Sequence, residues 1–172
     1  MTNPVIQTER LTLRRPVAAD WEGWRPFAMS DRAQYVGGPH DLRGAWNSMC
    51  SIIAHWTLRG YGTFVITMKG DDRGIGGVGP WNPIHWPEPE LGWTLWDPAF
   101  EGRGIAQEAA IAARDWARRN LGWEQPVSYI DKPNLRSIAL AKRMGCVVEP
   151  DAPTPGGDDS CHVFRHPKQE AL

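Results

Sequence analysis

The stretch Asp97-Pro98-Ala99-Phe100-Glu101-Gly102-Arg103-Gly104-Ile105-Ala106-Gln107-Glu108-Ala109 limits most strongly what this chain can become. It reads as the end of a strand, a proline that breaks it, a glycine-rich turn and the opening of a helix. Gly102 and Gly104 carry no Cβ, so the backbone there can approach a ligand closely. The amides that open a helix have no partner within it and face outward with the positive end of its dipole. Together they form a cradle for a diphosphate. Arg103 adds a cation at the rim, and Ala106 is small where a larger side chain would crowd the ligand. Glu101 runs against this pattern, because a carboxylate aimed at a diphosphate repels it. The cradle still works if the backbone binds and the Glu101 side chain turns to solvent.

Around this core motif the chain alternates helical and strand patterns. Residues 10–14 alternate with period two and read as a half-buried strand. Residues 18–29 read as a short helix carrying Trp21, Trp24 and Phe27, with Pro26 leaving its end open. After the turn Gly37-Gly38-Pro39, Asp41 reads as the N-cap of a longer helix that stops at Gly60. Its predicted buried stripe is Leu42, Trp46, Met49, Cys50, Ile53 and Thr57. Strands are predicted at 63–68, 74–81 and 90–96. A helix follows at 103–121, with Ile105, Ala109, Ala112, Ala113 and Trp116 facing a sheet. A strand at 125–130, a helix at 134–144 ending at Gly145, and strands at 146–148 and 161–165 complete the chain. Residues 150–159 form a Pro/Gly/Asp loop. The order βααβββαβαββ implies an α/β fold, a mixed central sheet covered by flanking helices.

The 172 residues suffice for one well-buried domain spanning 1–172 and are too few for two. A net charge of −1 argues against a general nucleic-acid binder, since phosphate recognition rests on an excess of Lys and Arg. No apolar run reaches membrane-spanning length, so no membrane partner is expected. The first fifteen residues lack the apolar core of a signal peptide, which points to a cytoplasmic protein. Cys50, Cys146 and Cys161 are far apart and odd in number, as expected for reduced, mostly buried thiols rather than a disulfide or zinc framework. The 10 Trp fill a core, line a cleft or cover a dimer interface, which leaves a homodimer open.

Two other phosphate-loop readings fail. The Gly-Lys-Ser/Thr of a Walker loop is absent. The run Gly74-Ile75-Gly76-Gly77-Val78-Gly79 matches a dinucleotide fingerprint, yet Pro80-Trp81-Asn82-Pro83 follows where a helix is required. Those glycines read instead as a strand that other groups approach closely, or one with a bulge.

The loop 102–106 resembles the pyrophosphate loop of the GCN5-related N-acetyltransferases, and its surroundings resemble the RimJ/RimL branch of that family. Four further stretches are similar, in the same order. They are Thr8-Glu9-Arg10-Leu11-Thr12-Leu13-Arg14, Gly37-Gly38-Pro39, Glu90-Leu91-Gly92-Trp93-Thr94-Leu95, and Asn134-Leu135-Arg136-Ser137 with Lys142-Arg143-Met144-Gly145-Cys146. The resemblance implies acetyl-CoA as cosubstrate, no metal, and an amine acceptor, either a small molecule or a protein N-terminus. The cofactor-binding residues it implies are Gly102, Arg103, Gly104, Ile105 and Ala106. It adds Thr94, Leu95 and Trp96, whose backbone would pair with the cofactor's arm as an added strand does, and Asn134. Capping of the following helix explains Asn134 equally well and is compatible with cofactor contact.

Attack by an amine requires its neutral form, and a lysine-like amine is only about 0.04% neutral at pH 7. A base removes that barrier. Glu90 is the candidate, since its even spacing to Thr94 and Trp96 places all three on one face. The alternative is a solvated edge carboxylate. Ser137 is the candidate acid toward the leaving sulfur. His40 and His85, on loops, rank below Glu90 as bases. His162 and His166 imitate a metal pair, but the Val163-Phe164 between them suggests strand, where that spacing does not converge. A non-catalytic acyl-CoA-binding module is the rival reading.

Overall fold

The computed structural model describes residues 3–157 and 159–168. Met1 and Thr2, read above with the N-terminal stretch, and Asp158 of the predicted loop lie outside the described residues. Among the described residues, eight strands and four α-helices follow one another as β1 (Ile6–Gln7), β2 (Leu11–Arg14), α1 (Trp21–Ala28), α2 (Leu42–Arg59), β3 (Phe64–Met68), β4 (Gly76–Trp81), β5 (Glu90–Leu95), α3 (Ile105–Leu121), β6 (Val127–Asp131), α4 (Leu135–Arg143), β7 (Val147–Val148) and β8 (Cys161–Arg165). The expected order is present with one addition, the two-residue β1, too short to show a period. The strands form one sheet in the order β1-β2-β3-β4-β5-β6-β8-β7. Every pairing is antiparallel except β5 with β6, which share a single register pair, Glu90 with Val127. Beyond that pair the two strands part.

The pleat sorts side chains between the two faces of the sheet. On one face α1 and the start of α2 bury Trp24, Phe27, Ala45 and Met49 against Val65 and Trp96. On the other, α3 and α4 cover Ile66, Leu91 and Ile130. The buried line of α3 is Ile105, Ala109, Ala110, Ala113 and Ala117, and these small residues let the helix lie against β4 and β5. Ala112 and Trp116 pack at its margin.

The stripe expected on α2 requires correction. Of that stripe Met49 is buried as expected, together with Ala45 and Trp56, and Ile52 packs beside them, whereas Leu42, Trp46, Cys50, Ile53 and Thr57 are exposed. The helix is apolar on two sides, so periodicity alone allowed either. Specific anchors decide: the Trp24 indole N–H donates to Ala45 O at 3.0 Å, and the Trp56 indole N–H to Thr63 O at 2.9 Å. Cys50 is accordingly an exposed thiol, while Cys146 is buried and Cys161 half-buried, and none of the three forms a disulfide among the described residues. The glycines of β4 do serve close approach, since a Cβ on Gly76 would lie 2.5 Å from Thr94 O.

Candidate active site

The start of α3 is left open. Gly102 and Gly104 hold φ of +71° and +76°, a region that penalises a Cβ by about 1–2 kcal/mol. Gly104 is the N-cap and offers no side chain to the helix. The first amide to find a helical acceptor is that of Glu108, bonded to Gly104 O at 3.0 Å. Among the described residues, no protein acceptor takes the amides of Gly102, Arg103, Gly104, Ile105, Ala106 or Gln107. The Ile105 side chain is buried and anchors the turn from below, with Ala106 half-buried beside it.

The Thr8–Arg14 stretch explains how this turn is held. The Glu108 carboxylate accepts from Thr8 Oγ1 at 2.6 Å, from the Arg10 amide at 2.9 Å and from Arg10 Nε at 2.6 Å. Arg10 Nη1 also donates to Arg103 O at 3.0 Å. These contacts hold Glu108 below the usual carboxylate range, against the opposing pull of burial. Arg103 itself lies over the Phe100 ring at 5.5 Å.

Glu101 does not turn to solvent. Its carboxylate accepts from Arg32 Nη2 at 2.5 Å and pairs with Arg136 on α4. Arg32 also donates to Leu95 O at 3.0 Å and to Trp96 O at 2.5 Å. Burial raises the Glu101 carboxyl, but the two arginines outweigh it and leave the group below its ordinary range. The repulsion expected from Glu101 is thus neutralised by two cations, which it holds beside the cradle.

The parted strands β5 and β6 lead into the same region. Strand parity decides which backbone groups line the gap. The Trp96 amide donates to Ile75 O at 2.8 Å, so Trp96 and, two residues back, Thr94 turn their backbone groups toward β4. Leu95 and Trp93 turn theirs toward the gap. Of the three residues expected there, Leu95 points its backbone into the gap. Trp93 is the residue missed, and the parity of β5 against β4 is the signal that finds it. Asn134 caps α4, its Oδ1 accepting from the Ser137 amide at 3.2 Å.

Glu90, Thr94 and Trp96 share the α1 face, as their spacing required; the Trp96 indole donates to Thr94 Oγ1 at 3.1 Å. Glu90 is half-buried. Its carboxylate accepts from the Trp86 indole at 2.6 Å. Desolvation prevails over this bond and the nearby Tyr129 amide and pushes its pKa up to about 7. The loop tryptophan Trp86 is therefore part of the site. Ser137 lies on the opposite face, its Oγ 3.3 Å from the Trp93 indole nitrogen.

The histidines sit in separate surroundings. His85 packs edge-on to Trp86, with ring centroids 4.8 Å apart. His40 packs against Gly37 and the first turn of α2. His166 is fully buried at Ser128, away from His162. Among the described residues no group of three or more His, Cys, Asp or Glu is placed to hold a metal.

Residues 10–147 match the family model described as an acetyltransferase (GNAT) domain. The chain belongs to the GNAT family. This GNAT protein is 40% identical to an acetyltransferase from Agrobacterium tumefaciens, with 96% of this chain and 95% of that one covered and a TM-score of 0.88. A putative GNAT-family acetyltransferase from Bordetella pertussis is 26% identical over 95% of this chain and 99% of that one, with a TM-score of 0.75. A structure described as a putative ribosomal-protein-serine acetyltransferase from Vibrio cholerae shares the fold at 20% identity, covering 96% and 98%, with a TM-score of 0.73. The protein is an acyltransferase enzyme of this family. No helix among the described residues is long and apolar enough to cross a membrane.

Proposed function

We propose that the protein transfers an acetyl group from acetyl-CoA to a primary amine by direct attack, with the whole activity in one domain spanning 1–172. The observation that carries this reading is the run of six amides, from Gly102 to Gln107, without a protein acceptor at the positive end of α3. Such a run suits a diphosphate. Gly102, Arg103, Gly104, Ile105 and Ala106 would hold it by backbone, and Leu95 and Trp93 would hold the arm at the gap. Thr94 and Trp96 then shape the wall through their side chains, and Asn134 fixes the start of α4 beside them. The bound cosubstrate supplies an acyl thioester.

Glu90 takes the proton that the amine loses as its nitrogen attacks. A carboxyl held at about 7 is half ionised at neutral pH, which suits a general base. Ser137 Oγ accepts the Trp93 indole N–H and keeps its own proton to give to the leaving thiolate. The acceptor is a small-molecule amine or a protein N-terminus.

Release of thiol from acetyl-CoA, measured against a panel of amines, tests this reading. Turnover with at least one amine is expected, rising as pH passes about 7, where Glu90 loses its proton. Glu90→Gln should lower turnover by about 10²–10⁴ with CoA affinity unchanged. CoA binding without thiol release from any amine would establish a non-catalytic binding module instead.

A further inference from the structure

Among the described residues, every glycine but one has a local reason to lack a side chain. Some hold a positive φ, as Gly60, Gly102 and Gly104 do. At the others a Cβ would meet a neighbour at 3.1 Å or less, as on Gly76 and Gly77 of β4. The exception is Gly92, in the middle of β5. Its φ lies outside the left-handed region, and a Cβ there would have Glu90 Oε1, at 3.9 Å, as its nearest neighbour beyond the adjoining residues. That is ordinary contact, which alanine would meet without strain. A glycine inside a strand weakens it and marks a bulge, a bend or the close approach of another group. Yet β5 pairs residue for residue with β4 from Glu90 to Leu95, so no bulge sits there. No described backbone outside the adjoining residues comes within 4 Å of the missing Cβ.

Gly92 shares the α1 face with Glu90 and Thr94, by its even spacing to both. Its partner on β4 is Gly79, so no side chain crosses from that strand, and β6 has parted from β5 on the other side. The Glu90 carboxylate stands at one end of this space. Its Oε2 accepts the Trp86 indole N–H at 2.6 Å, and Oε1 is the oxygen that faces Gly92. Trp81, opposite Glu90 on β4, is fixed by the buried His55, which stacks on it at 4.5 Å. The carboxylate end is thus framed by fixed side chains, and the side over Gly92 is bare.

We propose that Gly92 is a specificity-determining residue: the room it leaves beside Glu90 Oε1 takes a substituent on the carbon that bears the acceptor's amine. The inference rests on the acetyl transfer stated above, with Glu90 as the base. An acceptor whose amine sits on an unbranched carbon needs only its nitrogen at Oε1. Alanine at position 92 would serve it equally and strengthen the strand. A branch on that carbon lies alongside Oε1 as the nitrogen gives up its proton there, and it needs the volume of the missing methyl group. The glycine therefore sets which amines reach the base, without touching the cosubstrate.

The test is the thiol-release assay with acetyl-CoA on wild type, Gly92→Ala and Gly92→Val. Each amine of the panel is paired with its analogue carrying a methyl group on the amine-bearing carbon, glycinamide with alaninamide and benzylamine with α-methylbenzylamine among them. Gly92→Ala should be at least as stable as wild type in urea and bind CoA with unchanged affinity by calorimetry. Its kcat/KM should fall about 10-fold or more for the branched member of an active pair and about three-fold for the unbranched one, with the loss carried by the acceptor KM. Gly92→Val should extend the larger loss to both members. A Gly92→Ala protein less stable than wild type would give the glycine a structural reason and overturn the proposal. Equal losses for the two members of every active pair, or no loss at all, would overturn it as well. Turnover of no amine by the wild type defeats the transfer reading itself, and this proposal with it. Selective loss of branched amines in Gly92→Ala, while Glu90→Gln keeps full turnover, upholds the place of the acceptor and removes Glu90 as the base.

Discussion

The two long helices, α2 and α3, end alike and begin differently. They have 18 and 17 residues, and each stops at a left-handed glycine, Gly60 and Gly122. At the start of α2, Asp41 Oδ1 accepts from the Gly44 amide at 2.7 Å and closes the helix with the protein's own oxygen. At the start of α3, Gly104 supplies no side chain and six successive amides stay open. One helix spends its polar end on its own cap; the other leaves it open. The open end is no looser for that. Thr8, Arg10 and Glu108 brace it from outside the turn, through a carboxylate placed in the first turn where the dipole favours negative charge.

This contrast can be broken from either side. Gly104→Val places a branched side chain at φ +76° and should weaken CoA binding by about 100-fold or more by calorimetry. Gly104→Asn, whose side chain tolerates that backbone, separates obstruction from strain. CoA affinity unchanged in both would show that the open end is not a ligand site. Glu108→Gln leaves the turn in place and loosens its brace. A stability loss of about 1–2 kcal/mol in urea is expected, together with weaker CoA binding. Asp41→Ala should cost about 1 kcal/mol of stability and leave CoA affinity as it was, because that cap serves only its helix. The smallest effect is expected from Glu101→Gln. Removing the carboxylate frees Arg32 and Arg136 for phosphate and should tighten CoA a few-fold at low salt, less at high salt. Weaker binding would mean that Glu101 is needed to hold the arginines in place.

Much of the site was legible because it is local. The cradle needs only glycines next to one another and a helix after them. The Asp41 cap and the shared face of Glu90, Thr94 and Trp96 follow from spacing along one element. The buried side of α2 was only partly legible: Met49 was expected inside, but Leu42, Trp46 and Ile53 compete with Ala45 and Trp56, and both sets fit a helical period through it. The Glu101 pairing was hidden because Arg32 and Arg136 come from 69 and 35 residues away. The role of Trp86 was hidden in a Pro-rich loop with no period to read. Thr8 and Arg10 were visible as a motif, yet their partner Glu108 lies 100 and 98 residues further on.

The sequence alone determined what each segment could be: strand or helix, capped or open, close-packed or bulky. These are properties of a residue and its near neighbours, governed by backbone torsions and side-chain size. Tertiary structure decided which edge of β5 faces the gap and where the β5–β6 ladder stops. It also decided which arginines neutralise Glu101 and how far Glu90 is desolvated. Each depends on charges and hydrogen-bonding groups brought together from distant positions, and their energies exist only once water has been excluded between them.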